Sequence, residues 1–178
     1  MRPAYGAEEI GIFGLDVTIV VDVANVMGSR PDGWWRDRAG AAVRLHDQIV
    51  DLAASGRVIL PSDAEPGKNA EPGKNAPAFV LVLEGAARAA IPRLPSAVRS
   101  DLGSAGPLRP GEVRVVEARG SGDDAIVAVV HELPGRRVVV TADRELRARC
   151  AAAGAEILGP GWLLGLLREP RSPQAPRG

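Results

Sequence analysis

The chain has 178 residues and is 46% hydrophobic, which is enough to bury the core of one domain. Its 22 lysine and arginine residues balance 22 aspartate and glutamate residues, so no overall field attracts nucleic acid or a membrane and any anionic partner must be bound locally. Cys150 is the only cysteine, which excludes an intrachain disulfide and predicts a small buried side chain rather than a nucleophile. The sequence has no secretory signal and no run of about 18 apolar residues. We therefore expect a cytoplasmic protein that does not enter a membrane.

The predicted elements alternate between strands and helices after an irregular segment, residues 1–15. The first strand lies in DVTIVVDVANVMG and is expected to give way to a loop between Asp22 and Gly28. A helix follows in RDRAGAAVRLHDQIVDLAASG, with Gly56 at its end and His46 on its polar side. Three more strands are predicted in AFVLVLEG, EVRVVEA and RRVVVTAD, and three more helices in DDAIVAVVHEL, DRELRARCAAAG and GWLLGLLRE.

The predicted strands are apolar along their whole length, which indicates a parallel sheet with helices on both faces. The fold class is therefore α/β, as an α/β/α sandwich with a mostly parallel central sheet. Residues 16–168 are expected to form one domain. In such sheets, functional groups collect at the carboxyl ends of the strands.

An internal duplication interrupts this plan. The segment AEPGKNAEPGKNA repeats a short unit whose proline and glycine residues predict an exposed loop within residues 61–77. Lys68 and Lys74 could contact a phosphate backbone, but a tolerated insertion explains the duplication better. The proline-rich tail, residues 169–178, is expected to be disordered.

Aspartates follow three of the predicted strands. Asp22 comes after TIVV, and Asp143 comes after VVVTA. Asp123 and Asp124 open the helix that follows the third strand. Because the carboxyl ends of parallel strands meet at one edge, these carboxylates can gather there, and a hard divalent cation best offsets their repulsion. Bound Mg²⁺ or Mn²⁺ polarises a phosphate and activates water, so the pattern favours phosphodiester hydrolysis.

Helix capping is the alternative interpretation of the same residues. Ser121 can cap the helix that starts at SGDD, where the helix dipole favours Asp123 and Asp124 in the first turn. Asp143 can likewise cap the helix of TADREL, and Asp22 can simply mark the surface end of a strand. Successive helix residues point about 100° apart. We therefore expect one member of the Asp123 and Asp124 pair to face the site and the other to stay near the helix end.

Four segments of the sequence occur in a recognisable order, namely VDVANVMGSRPDGWWRDRAG, GSGDDAIV, VVVTADRELRARC and GAEILGPGWLL. Together they resemble the NYN domain family of PIN-like nucleases, especially its bacterial members, over most of Asp16 to Leu167. The resemblance implies a PIN-like three-layer α/β/α sandwich with an acidic pocket. It also implies Mg²⁺- or Mn²⁺-dependent cleavage of single-stranded or structured RNA. Val23 stands where similar proteins are expected to have glycine.

The resemblance also implies roles for the polar residues at the strand ends. Asp22 and Asp143 would be metal-site aspartates. Asp123 or Asp124 would complete the catalytic pocket, and we take Asp124 as the third metal ligand. The implied polar supports, which hold the site or a substrate oxygen, are Asn25 and Thr141.

The segment SRPDGWWRDR holds two of the three tryptophans, Trp34 and Trp35, between arginines. An exposed tryptophan can stack on an unpaired RNA base while arginines hold phosphates. Alternatively, PDG forms a turn and the tryptophans fix the helix entry to the core. We expect a structural role for at least one tryptophan. The candidate substrate-binding residues of this segment are Arg30, Trp34, Arg36 and Arg38.

Three functions remain open from the sequence. The leading hypothesis is a metal-dependent ribonuclease that binds RNA and hydrolyses it at the acidic pocket. The second hypothesis keeps the pocket but takes a nucleotide, as a nucleoside-triphosphate pyrophosphohydrolase does. The third is a catalytically silent module that binds RNA or protein, which the bare carboxylates argue against because they repel RNA. Oligomerisation and an antitoxin partner are compatible with the sequence.

Overall fold

The computed structural model describes residues 17–63, 76–95, 99–100 and 108–168. Three predictions lie outside these residues. They concern the irregular segment 1–15, the duplicated unit at 64–75 and the tail 169–178.

A six-stranded sheet forms the centre of the structure. Its strands are β1 (Val17–Asp22), β2 (Ala78–Leu83), β3 (Arg99–Ser100), β4 (Val113–Glu117), β5 (Arg136–Val140) and β6 (Glu156–Leu158). Their order is β3-β4-β2-β1-β5-β6, and every described pairing is parallel. The four predicted strands are confirmed. The edge strands β3 and β6 were not predicted, because two or three residues are too few to show a hydrophobic pattern.

Five α-helices accompany the described strands, and the last of them follows β6. They are α1 (Val23–Gly28), α2 (Arg38–Ser55), α3 (Gly122–Glu132), α4 (Arg144–Ala152) and α5 (Pro160–Arg168). Three 3₁₀ segments accompany them, at Trp34–Arg36, Pro61–Asp63 and Gly85–Arg93. The four predicted helices are confirmed, and none of the described helices is both long and apolar enough to cross a membrane.

The first loop was predicted wrongly. Residues between Asp22 and Gly28 were expected to be irregular, but α1 occupies Val23–Gly28. Asp22 caps this helix, because its side chain accepts a hydrogen bond from the backbone of Asn25. A helix of six residues is too short to show a hydrophobic period, so the sequence pattern did not reveal it.

Helices cover both faces of the sheet, and each face has its own apolar core. On one face, Ile19 and Phe79 pack with Leu45 of α2. On the other face, Val20 packs with Ile126 of α3 and Leu146 of α4. Successive residues of β1 thus point into opposite cores, as the strand period requires. The three-layer α/β/α arrangement with a parallel sheet is confirmed.

The helix α2 matches its prediction at both ends but not along its polar face. Asp37 caps it by accepting a hydrogen bond from Gly40 N at 2.8 Å, and Gly56 ends it with φ 64°. His46 was expected on the polar side, but it is buried. This prediction was wrong because α2 packs against the Gly85–Arg93 segment as well as the sheet, which widens its buried face.

Candidate active site

Asp22 lies at the carboxyl end of the central strand β1 and is only 7% exposed. Its Oδ1 accepts a hydrogen bond from Asn25 N at 3.0 Å, and its Oδ2 accepts one from Thr141 Oγ1 at 2.9 Å. Each carboxylate oxygen is therefore held by a group on a different loop. A buried aspartate needs such donors, because an unpaired carboxylate in the interior is costly.

One further hydrogen bond ties α1 to the loop after β5, and another fixes that loop internally. Asn25 Oδ1 accepts from Ala142 N at 2.9 Å, and Thr141 Oγ1 accepts from Asp143 N at 3.1 Å. The connections from β1 and β5 then run to opposite faces of the sheet. The site therefore occupies a topological switch point, where α/β sheets bind ligands.

Asp143 caps α4, because its Oδ1 accepts a hydrogen bond from Leu146 N at 2.8 Å. The capping interpretation of Asp143 is therefore correct, but it does not remove Asp143 from the site. The carboxylate remains exposed at the same sheet edge, close enough to Asp123 to raise the pKa of that carboxyl. One aspartate thus serves both as a helix cap and as a member of the acidic edge.

The two aspartates at the start of α3 have different surroundings. The Asp124 side chain is 70% exposed and forms an ion pair with Arg149 at 2.6 Å. Asp123 is half-buried, and burial, then Asp143 and then Glu84 raise its pKa. Asp124 thus lies beside a cation, whereas Asp123 lies with the other acids. The role of Asp124 as a metal ligand stays a prediction, and the surroundings favour Asp123 as the member of the pair that faces the site.

Glu84 is a site residue that the sequence interpretation missed. It directly follows β2, and its Oε2 accepts a hydrogen bond from Gly122 N at 2.8 Å. A Cβ atom at position 122 would overlap the Glu84 carboxylate, so glycine at this position lets Glu84 keep its hydrogen bond. The available signal was its position after AFVLVL, which matches that of Asp22 after TIVV.

These four side chains are called the acidic group, and they are Asp22, Glu84, Asp123 and Asp143. Burial raises the pKa of Asp22, and the carboxylates of Glu84 and Asp123 raise it further. The hydrogen bonds from Asn25 and Thr141 oppose this rise but do not cancel it. Within the described part of the chain, no member of the acidic group forms an ion pair. The group therefore concentrates negative charge, which among the described residues is offset only in part, by the charge of Arg149 near Asp123.

The donor chemistry of the acidic group suits a hard cation. All four side chains offer oxygen, which Mg²⁺ and Mn²⁺ prefer. Among the described residues, however, no three histidine, cysteine, aspartate or glutamate side chains converge to hold a metal directly. Mg²⁺ commonly keeps several waters and uses only one or two carboxylates. The residues thus fit a hydrated ion rather than a closed cage of protein ligands.

In the segment that precedes α2, Trp35 is exposed and Trp34 packs against the core. Trp34 is half-buried against the core, and Trp35 is 56% exposed. Their rings form an edge-to-face pair with centroids 6.3 Å apart. Arg36 lies 6.0 Å from the Trp35 ring centroid, and Arg38 lies 5.3 Å from that of Trp34. The expected structural role applies to Trp34, whereas Trp35 remains available for stacking.

Two of the predicted substrate-binding residues form hydrogen bonds within the protein. Thr141 is fully buried, so it supports Asp22 and cannot contact a substrate directly. Arg30 Nη2 donates a hydrogen bond to Gln48 Oε1 at 2.8 Å, which directs its guanidinium toward α2. Cys150 is fully buried, as predicted, and burial raises its pKa to about 11, so it is not a nucleophile.

Fold and site together define a three-layer α/β/α sandwich with an acidic group at the carboxyl edge of its parallel sheet. The structure is similar to the crystal structure of Rae1 (YacP) from Bacillus subtilis, a tryptophan-to-leucine mutant, with a TM-score of 0.54 and 14% identity. The likeness covers 86% of this chain and 75% of that chain, and it extends to the fold. No protein-family model and no curated protein matches the sequence.

Proposed function

We propose that the protein is a metal-dependent ribonuclease of the NYN type, which hydrolyses RNA phosphodiester bonds at the acidic group. The observation that carries the proposal is the gathering of four carboxylates, without ion pairs among the described residues, at the switch point of the sheet. Burial and mutual repulsion make such a group unfavourable unless a ligand requires it. The fold shared with Rae1 (YacP) agrees with the proposal.

Mg²⁺ or Mn²⁺ would be held by one or two carboxylates of the acidic group, Asp22 foremost, and by water that bridges to Asp123 and Asp143. When bound there, the ion supplies charge neutralisation for a phosphate and activation of a water molecule. Glu84 completes the negative environment from the neighbouring strand. The hydrogen-bond donors to Asp22 are neutral, so they orient its carboxylate without neutralising it.

Neighbouring residues position the acidic group. The hydrogen bonds of Thr141 and Asn25 hold the Asp22 carboxylate in one orientation and favour its ionised form against the effect of burial. Glu84 binds the backbone at the start of α3 and thereby fixes the first turn that carries Asp123. Substitutions of these supports should therefore weaken activity without removing a reacting group.

RNA is the proposed substrate because an exposed aromatic ring and cationic side chains lie on one loop. Trp35 can stack on an unpaired base, and such stacking contributes about 1 to 3 kcal/mol per base. Arg36 and Arg38 are exposed beside the two tryptophans and can bind phosphates. Single-stranded or unpaired RNA fits this combination better than a base-paired duplex, whose bases are stacked and covered.

The test is cleavage of end-labelled single-stranded RNA by the purified protein with Mn²⁺, compared with the same reaction in EDTA and with Asp22→Asn. Asparagine suits this position, because Thr141 Oγ1 can accept a hydrogen bond from its amide. We expect cleavage by the wild-type chain alone. Folded wild-type protein that leaves RNA intact would refute the proposal, and pyrophosphate release from nucleoside triphosphates would then replace RNA with a nucleotide substrate.

A further inference from the structure

A cavity of about 230 Å³ lies on the helical face that carries α1, α2 and α5. It is formed by the loop after α1, the middle of α2 and the end of α5, and no member of the acidic group lines it. Its principal lining residues are Arg30, Asp32, Gln48, Leu164, Leu167 and Arg168.

The wall of this cavity combines apolar and cationic groups. Leu164 and Leu167 present an apolar surface, and Arg30 is anchored beside them by its 2.8 Å hydrogen bond to Gln48. That bond uses one of the five N–H donors of the Arg30 guanidinium, so donors remain for a ligand. Arg168 is exposed at the end of α5 and has no ion-pair partner in the described structure.

Positive charge is in excess around the cavity. Burial lowers the pKa of Arg30, and the nearby guanidinium groups of Arg168 and Arg44 lower it further, while only Asp32 opposes them. Among the described residues, the cavity wall itself holds two arginines, Arg30 and Arg168, and one carboxylate, Asp32. Guanidinium groups bind phosphate through paired N–H donors, so a phosphate would relieve this repulsion.

We propose that the cavity binds one nucleotide of an RNA strand, with its phosphate at Arg30 and Arg168 and its sugar or base against Leu164 and Leu167. The inference rests on the proposed function, because it assigns a second contact to the same RNA. At about 230 Å³ the cavity is smaller than the 300 to 1,000 Å³ of typical ligand pockets, which suits one unit of a chain.

The cavity is separated from the exposed tryptophan by part of α2. Gln48 is ten residues beyond Arg38 in α2, which corresponds to about 15 Å along the helix axis. A strand that contacts Trp35 and Arg38 would therefore have to extend along α2 to reach the cavity. The cavity would favour longer single strands over very short ones.

Binding of a fluorescently labelled single-stranded oligoribonucleotide tests the inference, with EDTA present so that no cleavage occurs. Arg168→Gln should weaken binding about tenfold, as expected for a charged hydrogen bond, and should reduce the salt slope by about 0.7. Arg168→Lys should restore part of the affinity. Arg109→Gln is the matched control, because Arg109 is exposed near the opposite edge of the sheet and carries the same charge.

Equal affinities of Arg168→Gln and Arg109→Gln would overturn the inference. Adenosine monophosphate and inorganic phosphate should compete only at concentrations far above that of the oligoribonucleotide. Competition by the mononucleotide at the same concentration would instead assign the cavity to a free nucleotide. If RNA binding depends on Arg168 but no RNA is cleaved in Mn²⁺, the proposed function alone is overturned. If cleavage depends on Asp22 but Arg168→Gln does not change RNA binding, this inference alone is overturned.

Discussion

Acidic residues have opposite surroundings at the two ends of the parallel strands. We call these ends the amino edge and the carboxyl edge. At the amino edge, Arg136 donates hydrogen bonds to the two Asp63 oxygens at 2.7 and 2.9 Å. The same guanidinium binds Glu156 and Ser62. The hydrogen bond from Arg136 lowers the pKa of Glu156 below its usual range. Every acid in this network has a cationic partner, and the network fastens the Pro61–Asp63 turn to the sheet.

At the carboxyl edge, no member of the acidic group forms an ion pair with another described residue. The described hydrogen bonds of the group come from backbone N–H groups and from one threonine hydroxyl. The pKa values of Asp22 and Asp123 are raised, first by burial and then by neighbouring carboxylates. The residue type alone therefore does not distinguish a structural acid from a functional one. The presence of a cationic partner does distinguish them, because carboxylates without one lower the stability of the fold unless a ligand binds them.

The largest expected effect is a difference in RNA cleavage between variants of Asp123 and variants of its neighbour Asp124. We expect Asp123→Asn to reduce RNA cleavage in Mn²⁺ by at least about 100-fold, because it removes one of the unpaired carboxylates. Asp124→Asn should leave the rate close to that of the wild type, because Asp124 is paired with Arg149. Initial cleavage rates with circular dichroism of both variants check this prediction. An equal loss in the two variants would break the distinction between paired and unpaired acids.

Cation binding should increase the stability of the protein through the carboxyl edge and should not depend on residues of the amino edge. At a hundredfold excess over its Kd, Mn²⁺ should raise the free energy of unfolding by about 2.7 kcal/mol, or the Tm by about 5 to 10 °C. Asp22→Asn should abolish this increase. Glu156→Gln should retain it, since Glu156 already has Arg136 as its partner. Thermal unfolding with Mn²⁺ and with EDTA provides the measurement, and an unchanged wild-type Tm would argue against a metal at the acidic group.

Substitution of Thr141 should lower both the stability of the protein and its cleavage activity. Thr141→Val removes the donor to Asp22 and the acceptor for Asp143 N, so we expect a loss of about 1 to 3 kcal/mol in stability. Cleavage should fall about tenfold, because Asp22 loses one of its two orienting contacts. Thr18→Val is the control, since Thr18 is a buried threonine of β1 outside the site. Urea unfolding and cleavage rates that change equally in both variants would contradict a positioning role for Thr141.

The sequence predicted the sheet well because the four longer strands are continuous apolar runs. It also predicted that Asp22 and Asp143 lie at the carboxyl ends of β1 and β5, since each comes at or shortly after the end of such a run, while their roles stay predictions. The same rule applies to Glu84, which was overlooked although it follows AFVLVL. That omission was one of interpretation, because the position of Glu84 carried the same signal.

Other features depend on contacts that no local pattern contains. Asp123 and Asp124 are adjacent and chemically identical, and only the approach of Arg149 from α4 decides which of them is neutralised. The burial of His46 likewise depends on a second segment that packs along α2. The cavity beside Arg30 requires α5 to lie against the loop after α1. These properties arise from long-range packing, which a single sequence does not display.

The smallest effect concerns the pH dependence of the two edges, which should have opposite signs. Glu156 has an ordinary pKa of 4.5 that folding lowers, so its stabilisation is present above pH 4.5 and is lost as the pH falls through the lowered value. Glu156→Gln should flatten this loss, by no more than about 1 kcal/mol because the pair is partly exposed. Asp22 has a raised pKa, so protonation instead relieves its repulsion as the pH falls through that value. Urea unfolding between about pH 7 and pH 3 measures how the free energy of unfolding changes with pH in each variant. If Glu156→Gln and Asp22→Asn change this pH dependence in the same direction, the two edges do not differ electrostatically.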